Sequence, residues 1–466
     1  MPTSHLERLA AIDASFLELE GPSSHMHIGA LVVAEGPAPA YPFLLDSIRR
    51  RLHLVPRYRQ RLVYPPANSA RPLWTDDTDF NLEYHVRHTA LPEPGSHEQL
   101  MNLCARVFSQ QLDRSKPLWE MWLIEGLDDG SFGLLTKAHH AMIDGIAGVD
   151  LATVLFDLGP EPTPIDESLE AWVPEPEPNP LDLLGAGARG VARASLSVTA
   201  KALAALRAPE RALAEARVAA EGVGEIVWAG LNPAPATPLN VPIGPHRRFA
   251  GVVADLADFK AVKNAFGGTV NDVVLVVVAG ALRSWLQSRG VRTEGLELRA
   301  LVPVSIRVED DRGVPGNRLA AMRGPLPVWV EGPVERLAVV REAMADLKES
   351  KQAIGAEVLS NVQNFAPPTI LAQASRINFS TRLFNLLVTN VPGPQFPLYV
   401  AGRRMRAVFP IAFLPSSHAL AIAIMSYDGA MNFGLLGDYD ALYDLDGLAA
   451  AIEDALAELV SLAAAD

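Results

Sequence analysis

Between Gly159 and Pro180 the chain reads Pro-Glu-Pro-Thr-Pro and then Pro-Glu-Pro-Glu-Pro-Asn-Pro. Proline fixes its own φ and has no N–H to donate, so neither a helix nor a central strand runs through such a segment. It reads as an acidic, extended linker that cuts the chain in two. With 466 residues the chain exceeds one comfortable core, which also argues for two domains or a pseudo-duplicated pair. The expected division is an N-terminal domain over 1–159, the linker with a helical connector over 160–240, and a C-terminal domain over 241–466.

Charge and cysteine content narrow the partners. A formal net charge of -14 argues against nucleic acid and against simple electrostatic docking on an anionic membrane. One cysteine, Cys104, excludes an intramolecular disulfide and a thiolate zinc cluster, and a reducing cytoplasm is the compartment it suits. Met1 to Glu20 has no basic stretch leading into an apolar core, so no signal peptide is expected. The most apolar run, Val270 to Leu286, is interrupted by Asn271, Asp272 and Arg283, short of the roughly 20 mostly apolar residues of a membrane span.

Along the first half, Met26 to Val33 reads as a strand and Leu44 to Leu52 as a helix. Arg57, Arg59 and Arg61 would share one face of a strand, which could contact an anionic group but reads first as a solvated edge. Glu83 to His88 alternates like a half-exposed strand, and its histidines are given no role. Ser96-His97-Glu98-Gln99 has the form of a capping box opening a helix that contains Cys104, a buried small hydrophobe. Asp129-Gly130 joins two apolar runs into a hairpin, and its second strand leads to His139 and His140.

Beyond the linker, Leu183 to Arg207 carries Arg189, Arg193, Lys201 and Arg207 and no acid. It could lie in a membrane interface, but its small alanine and glycine residues favour a helix docked across the two domains. Phe249 to Val253 begins the second domain as a strand. Thr269 to Asp272 has the pattern of a helix start, followed by a long apolar helix. Strands are expected over Leu296 to Ile306, Leu383 to Thr389 and Ala421 to Tyr427, and helices over Pro333 to Gln352 and at the C-terminus. Each half thus mixes a sheet with flanking helices, an α/β (α+β) chain.

Polar density peaks at Lys137-Ala138-His139-His140-Ala141-Met142-Ile143-Asp144-Gly145. A histidine takes and returns a proton near neutral pH, its unperturbed pKa being roughly 6.5, and a nearby Asp can orient it or its loop. The bland alternative is a structural turn around a hydrogen-bonded core histidine. Zinc is disfavoured, because adjacent histidines on an extended backbone point apart and there is no His-Glu-x-x-His. No Gly-x-Ser-x-Gly elbow is present, and Ser416-Ser417-His418 lacks the flanking glycines. Neither a Gly-x-x-x-x-Gly-Lys phosphate loop nor a Gly-x-Gly-x-x-Gly fingerprint with its acid is found. What survives is a general base without a protein nucleophile, suited to direct attack of a bound hydroxyl or amine on an activated acyl group.

His139-His140-Ala141-Met142-Ile143-Asp144-Gly145 resembles the His-His-x-x-x-Asp-Gly signature of the chloramphenicol acetyltransferase-like superfamily of CoA-dependent acyltransferases. The accompanying blocks resemble, within it, the bacterial wax ester synthase/diacylglycerol acyltransferase family. They are Asp13 to Phe16, Met26-His27-Ile28-Gly29, Pro117-Leu118-Trp119, Asn271-Asp272, Val302-Pro303-Val304-Ser305 with Gly316-Asn317, and Asn390-Val391-Pro392-Gly393-Pro394. The likeness runs in order over nearly the whole chain and is weakest between Gly159 and Pro238. The Asp-Phe-Gly-Trp-Gly motif of the plant relatives is absent.

The resemblance implies two chloramphenicol-acetyltransferase-like domains, each a mixed sheet flanked by helices, meeting along a channel. It implies His140 as general base, His139 as more structural, Asp144 as a salt-bridged holder of the loop and Gly145 as its turn. Asn271 would stabilise an oxyanion or position the loop, with a helix cap as the alternative. It implies an O-acyltransferase moving a long-chain acyl group from acyl-CoA, a substrate, to a long-chain alcohol or diacylglycerol, with no cofactor and no metal. The expected location is the cytoplasm, with contact to a membrane face or lipid droplet left open. The alternatives are an amide-forming condensation enzyme and a non-catalytic lipid-binding protein.

Overall fold

The computed structural model describes residues 7–66, 70–142, 156–161, 172–179, 182–183, 185, 232–305, 319–349 and 380–465. Asp144, Gly145, Gly316, Asn317 and nearly all of Leu183 to Arg207 lie outside them.

The first part of the chain contributes β1 (Glu7–Arg8), α1 (Ala11–Leu19), β2 (His27–Ala34), α2 (Tyr41–Arg51), β3 (Gln60–Val63), β4 (Leu73–Asp76), α3 (Leu82–His85), β5 (Val86–Ala90), α4 (His97–Phe108), β6 (Trp119–Glu125) and β7 (Phe132–His139). After the linker come β8 (Arg247–Asp255), α5 (Leu256–Phe266), α6 (Val270–Ser288), β9 (Leu298–Ser305), β10 (Leu319–Leu326), α7 (Pro333–Glu349), β11 (Leu386–Pro392), β12 (Tyr399–Val400), β13 (Arg403–Ile411), β14 (Leu420–Tyr427), β15 (Ala430–Asp438) and α8 (Leu445–Ala465).

Two six-stranded mixed sheets organise these elements. One runs β12-β13-β2-β7-β6-β5 and the other β10-β9-β11-β14-β15-β8. In the first only β5 and β6 pair in parallel; in the second β11 is parallel to both its neighbours. The second half of the chain thus returns β12 and β13 to the first sheet, a crossing that the expectation of two sequential halves did not contain. β13 also packs against β14 and β15 of the other sheet. It therefore belongs to one sheet while touching both.

Local chemistry explains most elements. Ser96 and Gln99 cap α4 reciprocally, and Thr269 and Asp272 do the same for α6, as the spacing predicted. Helix α6 is long and apolar enough to cross a membrane by length and composition. Here it is buried without a break from Asp272 to Leu282 and packs against α5, α7 and α8, the situation expected of a core helix.

Two expectations need correction. Arg57 and Arg59 lie in a 3-10 turn over Pro56–Arg59, because Pro56 suits the first turn of a helix, and only Arg61 is on a strand. The cluster is not a solvated edge. Arg57 covers Trp74 at 4.5 Å, Arg59 covers Trp172 of the linker at 4.4 Å, and Arg61 pairs with Glu177. The backbone N–H of Glu175 donates to Asp76 at 3.1 Å, so the extended acidic segment is docked on the small β1-β4-β3 sheet. The stretch Glu83 to His88 is split between α3 and β5, since Asn81 caps a helical turn with its side chain. His85 is buried against Trp119, ring centroids 4.7 Å apart, and its Nδ1 faces the Trp119 carbonyl at 2.8 Å.

Candidate active site

Strand β7 is buried at every residue and lies between β2 and β6, a position that demands apolar residues on both faces. Lys137 is buried there as an ammonium and is fully neutralised. Its Nζ donates to Val107 O at 2.8 Å, Gln110 O at 2.6 Å and Glu120 Oε1 at 2.9 Å, which uses all three ammonium protons.

The end of β7 is set by its neighbours. His27 of β2 stands opposite His139 in the antiparallel register. Gly29 is required just above, because a Cβ there would lie 1.9 Å from Thr136 O. On the other side the His139 N–H donates to Leu118 O at 2.9 Å. Leu118 is buried, and the Trp119 indole N–H donates to Tyr58 O at 2.8 Å. Pro117, Leu118 and Trp119 therefore form the wall against which the histidine strand ends.

His140 follows on a short 3-10 turn over His140–Met142, its N–H donating to Met26 O at 2.8 Å. Its ring stacks on Phe16 of α1, centroids 3.9 Å apart, and meets Phe413 edge-on at 5.5 Å. Burial among these rings pushes its pKa down to about 4. That shift favours the neutral imidazole at pH 7, the form a base needs, and its Nδ1 has no hydrogen-bond partner.

His139 points elsewhere. It is 1% exposed, its Nδ1 accepts the Ala141 N–H at 3.0 Å, and its Nε2 lies 3.6 Å from Glu20 Oε2. Arg114 grips the same carboxylate through Nε at 2.7 Å and through Nη2. His27 Nε2 lies 3.5 Å from Glu20 Oε1. Burial would raise the Glu20 pKa, but the facing His139 and His27 rings and the Arg114 guanidinium outweigh it and hold the carboxyl below the usual range.

A second polar pair forms where the sequence blocks after the linker meet. Asn390, at the end of β11, donates through Nδ2 to Asn271 Oδ1 at 3.1 Å. The capping box of α6 is made by Thr269 and Asp272, whose Oδ2 accepts from Thr269 N at 2.7 Å and Oγ1 at 2.8 Å. The Asn271 side chain is therefore not the helix cap. Gly393 seats the following turn, since a Cβ there would lie 2.3 Å from Ser426 O. Among the described residues no hydrogen bond joins this pair to the histidines.

Other nucleophile candidates are spent. Cys104 is fully buried and its thiol pKa is pushed up by desolvation. His418 is buried with its ring nitrogens facing Ser416 O and Phe384 O. Among the described residues no group of His, Cys, Asp or Glu is placed to hold a metal ion. Phe16, Phe413, Glu20 and Arg114 were not singled out from sequence as site residues. Only the block containing Phe16 carried a signal; Phe413 and Arg114 reach the site by long-range pairing.

The family model described as the wax ester synthase/diacylglycerol acyltransferase catalytic domain matches residues 9–274, and the C-terminal domain of that family matches 315–460. A Mycobacterium tuberculosis protein named as a probable diacylglycerol O-acyltransferase is 36% identical over 98% of this chain and 96% of its own. The solved wax ester synthase/diacylglycerol acyltransferase of Marinobacter aquaeolei VT8 is 29% identical, with a TM-score of 0.68 over 98% of this chain and 100% of that one. The first condensation domain of the calcium-dependent antibiotic synthetase, 16% identical, shares the fold with a TM-score of 0.60 over 98% of this chain and 96% of that one.

Proposed function

The chain belongs to the wax ester synthase/diacylglycerol acyltransferase family, and from that premise we propose that it moves a long-chain acyl group from acyl-CoA to a long-chain alcohol or diacylglycerol, with His140 as general base. The observation that carries the reading is the His140 ring stacked on Phe16 and met edge-on by Phe413 where β7 ends.

In the proposed reaction the acceptor hydroxyl gives its proton to the His140 imidazole as its oxygen attacks the thioester carbonyl. The tetrahedral adduct collapses, the C–S bond breaks, and the imidazolium returns the proton to the CoA thiolate. No acyl-enzyme forms, in keeping with a buried Cys104 and a structurally committed His418. The Asn271–Asn390 pair is assigned to oxyanion stabilisation or loop positioning, where one donor is worth roughly 3 kcal/mol. Asp144 and Gly145 are assigned to holding and turning the loop. Because the acceptors are lipids, the enzyme would work in the cytoplasm against a membrane face or lipid inclusion.

The test is CoA release by purified protein given palmitoyl-CoA with hexadecanol or diolein. The wild type should release CoA with at least one acceptor, and His140→Ala should lose roughly 10²–10⁴-fold in turnover while staying folded. A folded His140→Ala enzyme working at the wild-type rate would remove His140 from the mechanism.

A further inference from the structure

We infer that Glu20, steered by Arg114, is a positioning residue that holds His139 in the Nε2–H tautomer and so fixes the turn presenting His140. The inference rests on the assignment of His140 as base and adds a residue from the first helix block to it.

A backbone N–H only donates, so the bond from Ala141 N to His139 Nδ1 requires a lone pair on Nδ1. The neutral ring must then carry its proton on Nε2. That nitrogen has no hydrogen-bond partner, but it faces Glu20 Oε2 at 3.6 Å, a few tenths of an ångström beyond bonding range. Glu20 in turn cannot rotate freely, since Arg114 holds Oε2 through two nitrogens and also donates to Leu17 O at 2.7 Å. Without Glu20 the buried Nε2–H would face the Arg114 guanidinium with no acceptor between them, and moving the proton to Nδ1 would let Nε2 accept from that cation, a charge-assisted bond stronger than the one from Ala141. Nδ1 could then no longer accept from Ala141. The first hydrogen bond of the turn would be lost, and His140, one residue earlier, would lose its fixed direction.

Glutamine at position 20 separates this role from charge. Arg114 only donates, so it would hold the amide oxygen where Oε2 now sits, still facing His139. The amide NH₂, in place of the Oε1 that now has no hydrogen-bond partner, would face His27 Nε2, which now accepts only a long 3.4 Å bond from the Leu112 N–H. Glu20→Gln should therefore keep the tautomer and most of the activity, whereas Glu20→Ala loses both. At position 139, Asn supplies an oxygen near the Nδ1 position and should keep more activity than Ala.

The experiment combines nitrogen NMR of ¹⁵N-histidine-labelled protein with steady-state kinetics. In the wild type His139, assigned by its loss in His139→Asn, should show a pyridine-type Nδ1 and a pyrrole-type Nε2. In Glu20→Ala the two should exchange character, with kcat falling on the order of 10–100-fold and KM for both substrates little changed. An Nδ1–H wild type would overturn the inference, as would Glu20→Ala with unchanged tautomer and kcat. If Glu20→Ala does not fold, Glu20→Gln decides: a lost tautomer together with lost turnover sinks the inference. The tautomer is read without turnover, so a dispensable His140 would be detected separately.

Discussion

Protonating His140 means placing a charge against Phe16 and Phe413, and those rings offer it much less than water does. The consequence is a base that stays competent well below neutrality. Burial lowers the His140 pKa to about 4, so the proton-accepting form persists from pH 7 down toward that value and is lost only below it. The kcat–pH profile of folded enzyme should therefore lack an acid limb near about 6.5, the free-histidine value, and fall only near about 4. A wild-type inflection at the free-histidine position that stays unchanged in Phe413→Ala would show that the clamp does not set the base. The chemistry of this residue was legible from His-His-x-x-x-Asp-Gly alone. Its clamp was not, because Phe413 reaches it only through the pairing of β13 with β2, which no local pattern announces.

Capping residues act on whole elements. Thr269 accepts the Asp272 N–H at 3.2 Å and fixes the first turn of α6, beside the Asn271 that binds Asn390. Thr269→Ala should lower stability by about 1 kcal/mol, read as a lower urea midpoint at unchanged slope. A wild-type midpoint would mean that tertiary packing alone holds this turn. Both capping boxes were visible in sequence because their partners are three residues apart. The start of β5 was misplaced for the complementary reason. Tyr84 and His85 alternate with Val86 as a strand would, yet the Asn81 cap and the stacking of His85 on Trp119 pull them into a helical turn. Likewise Arg57 and Arg59 looked like a solvated face because their covers, Trp74 and Trp172, lie far away in sequence.

Across the whole molecule, mixed sheets flanked by helices were legible from the strand and helix patterns, but the return of β12 and β13 to the first sheet was not. Strand pairing is non-local, and an apolar run does not name its neighbour. The resulting double-sheet body desolvates several histidines, and this gives the protein a shared acid sensitivity. Desolvation lowers His27 to about 3 and His85 and His140 to about 4. The unfolded chain protonates the same residues near about 6.5. As pH falls through that value the unfolded state takes up protons that the fold refuses, so stability must fall with pH. Each such histidine contributes up to about 1.4 kcal/mol per pH unit between its unfolded and folded values, and nothing above about pH 7. Glu20, held low, adds its own loss only at more acidic pH, below about 4.3, where the unfolded carboxylate protonates. Urea midpoints should therefore decline steeply from about pH 6.5 to about pH 5 and level off above about 7. His85 lies away from the histidine turn, so His85→Phe should flatten that decline while leaving the acid limb of kcat in place. A midpoint independent of pH over this window would mean that these rings are solvated in the folded protein.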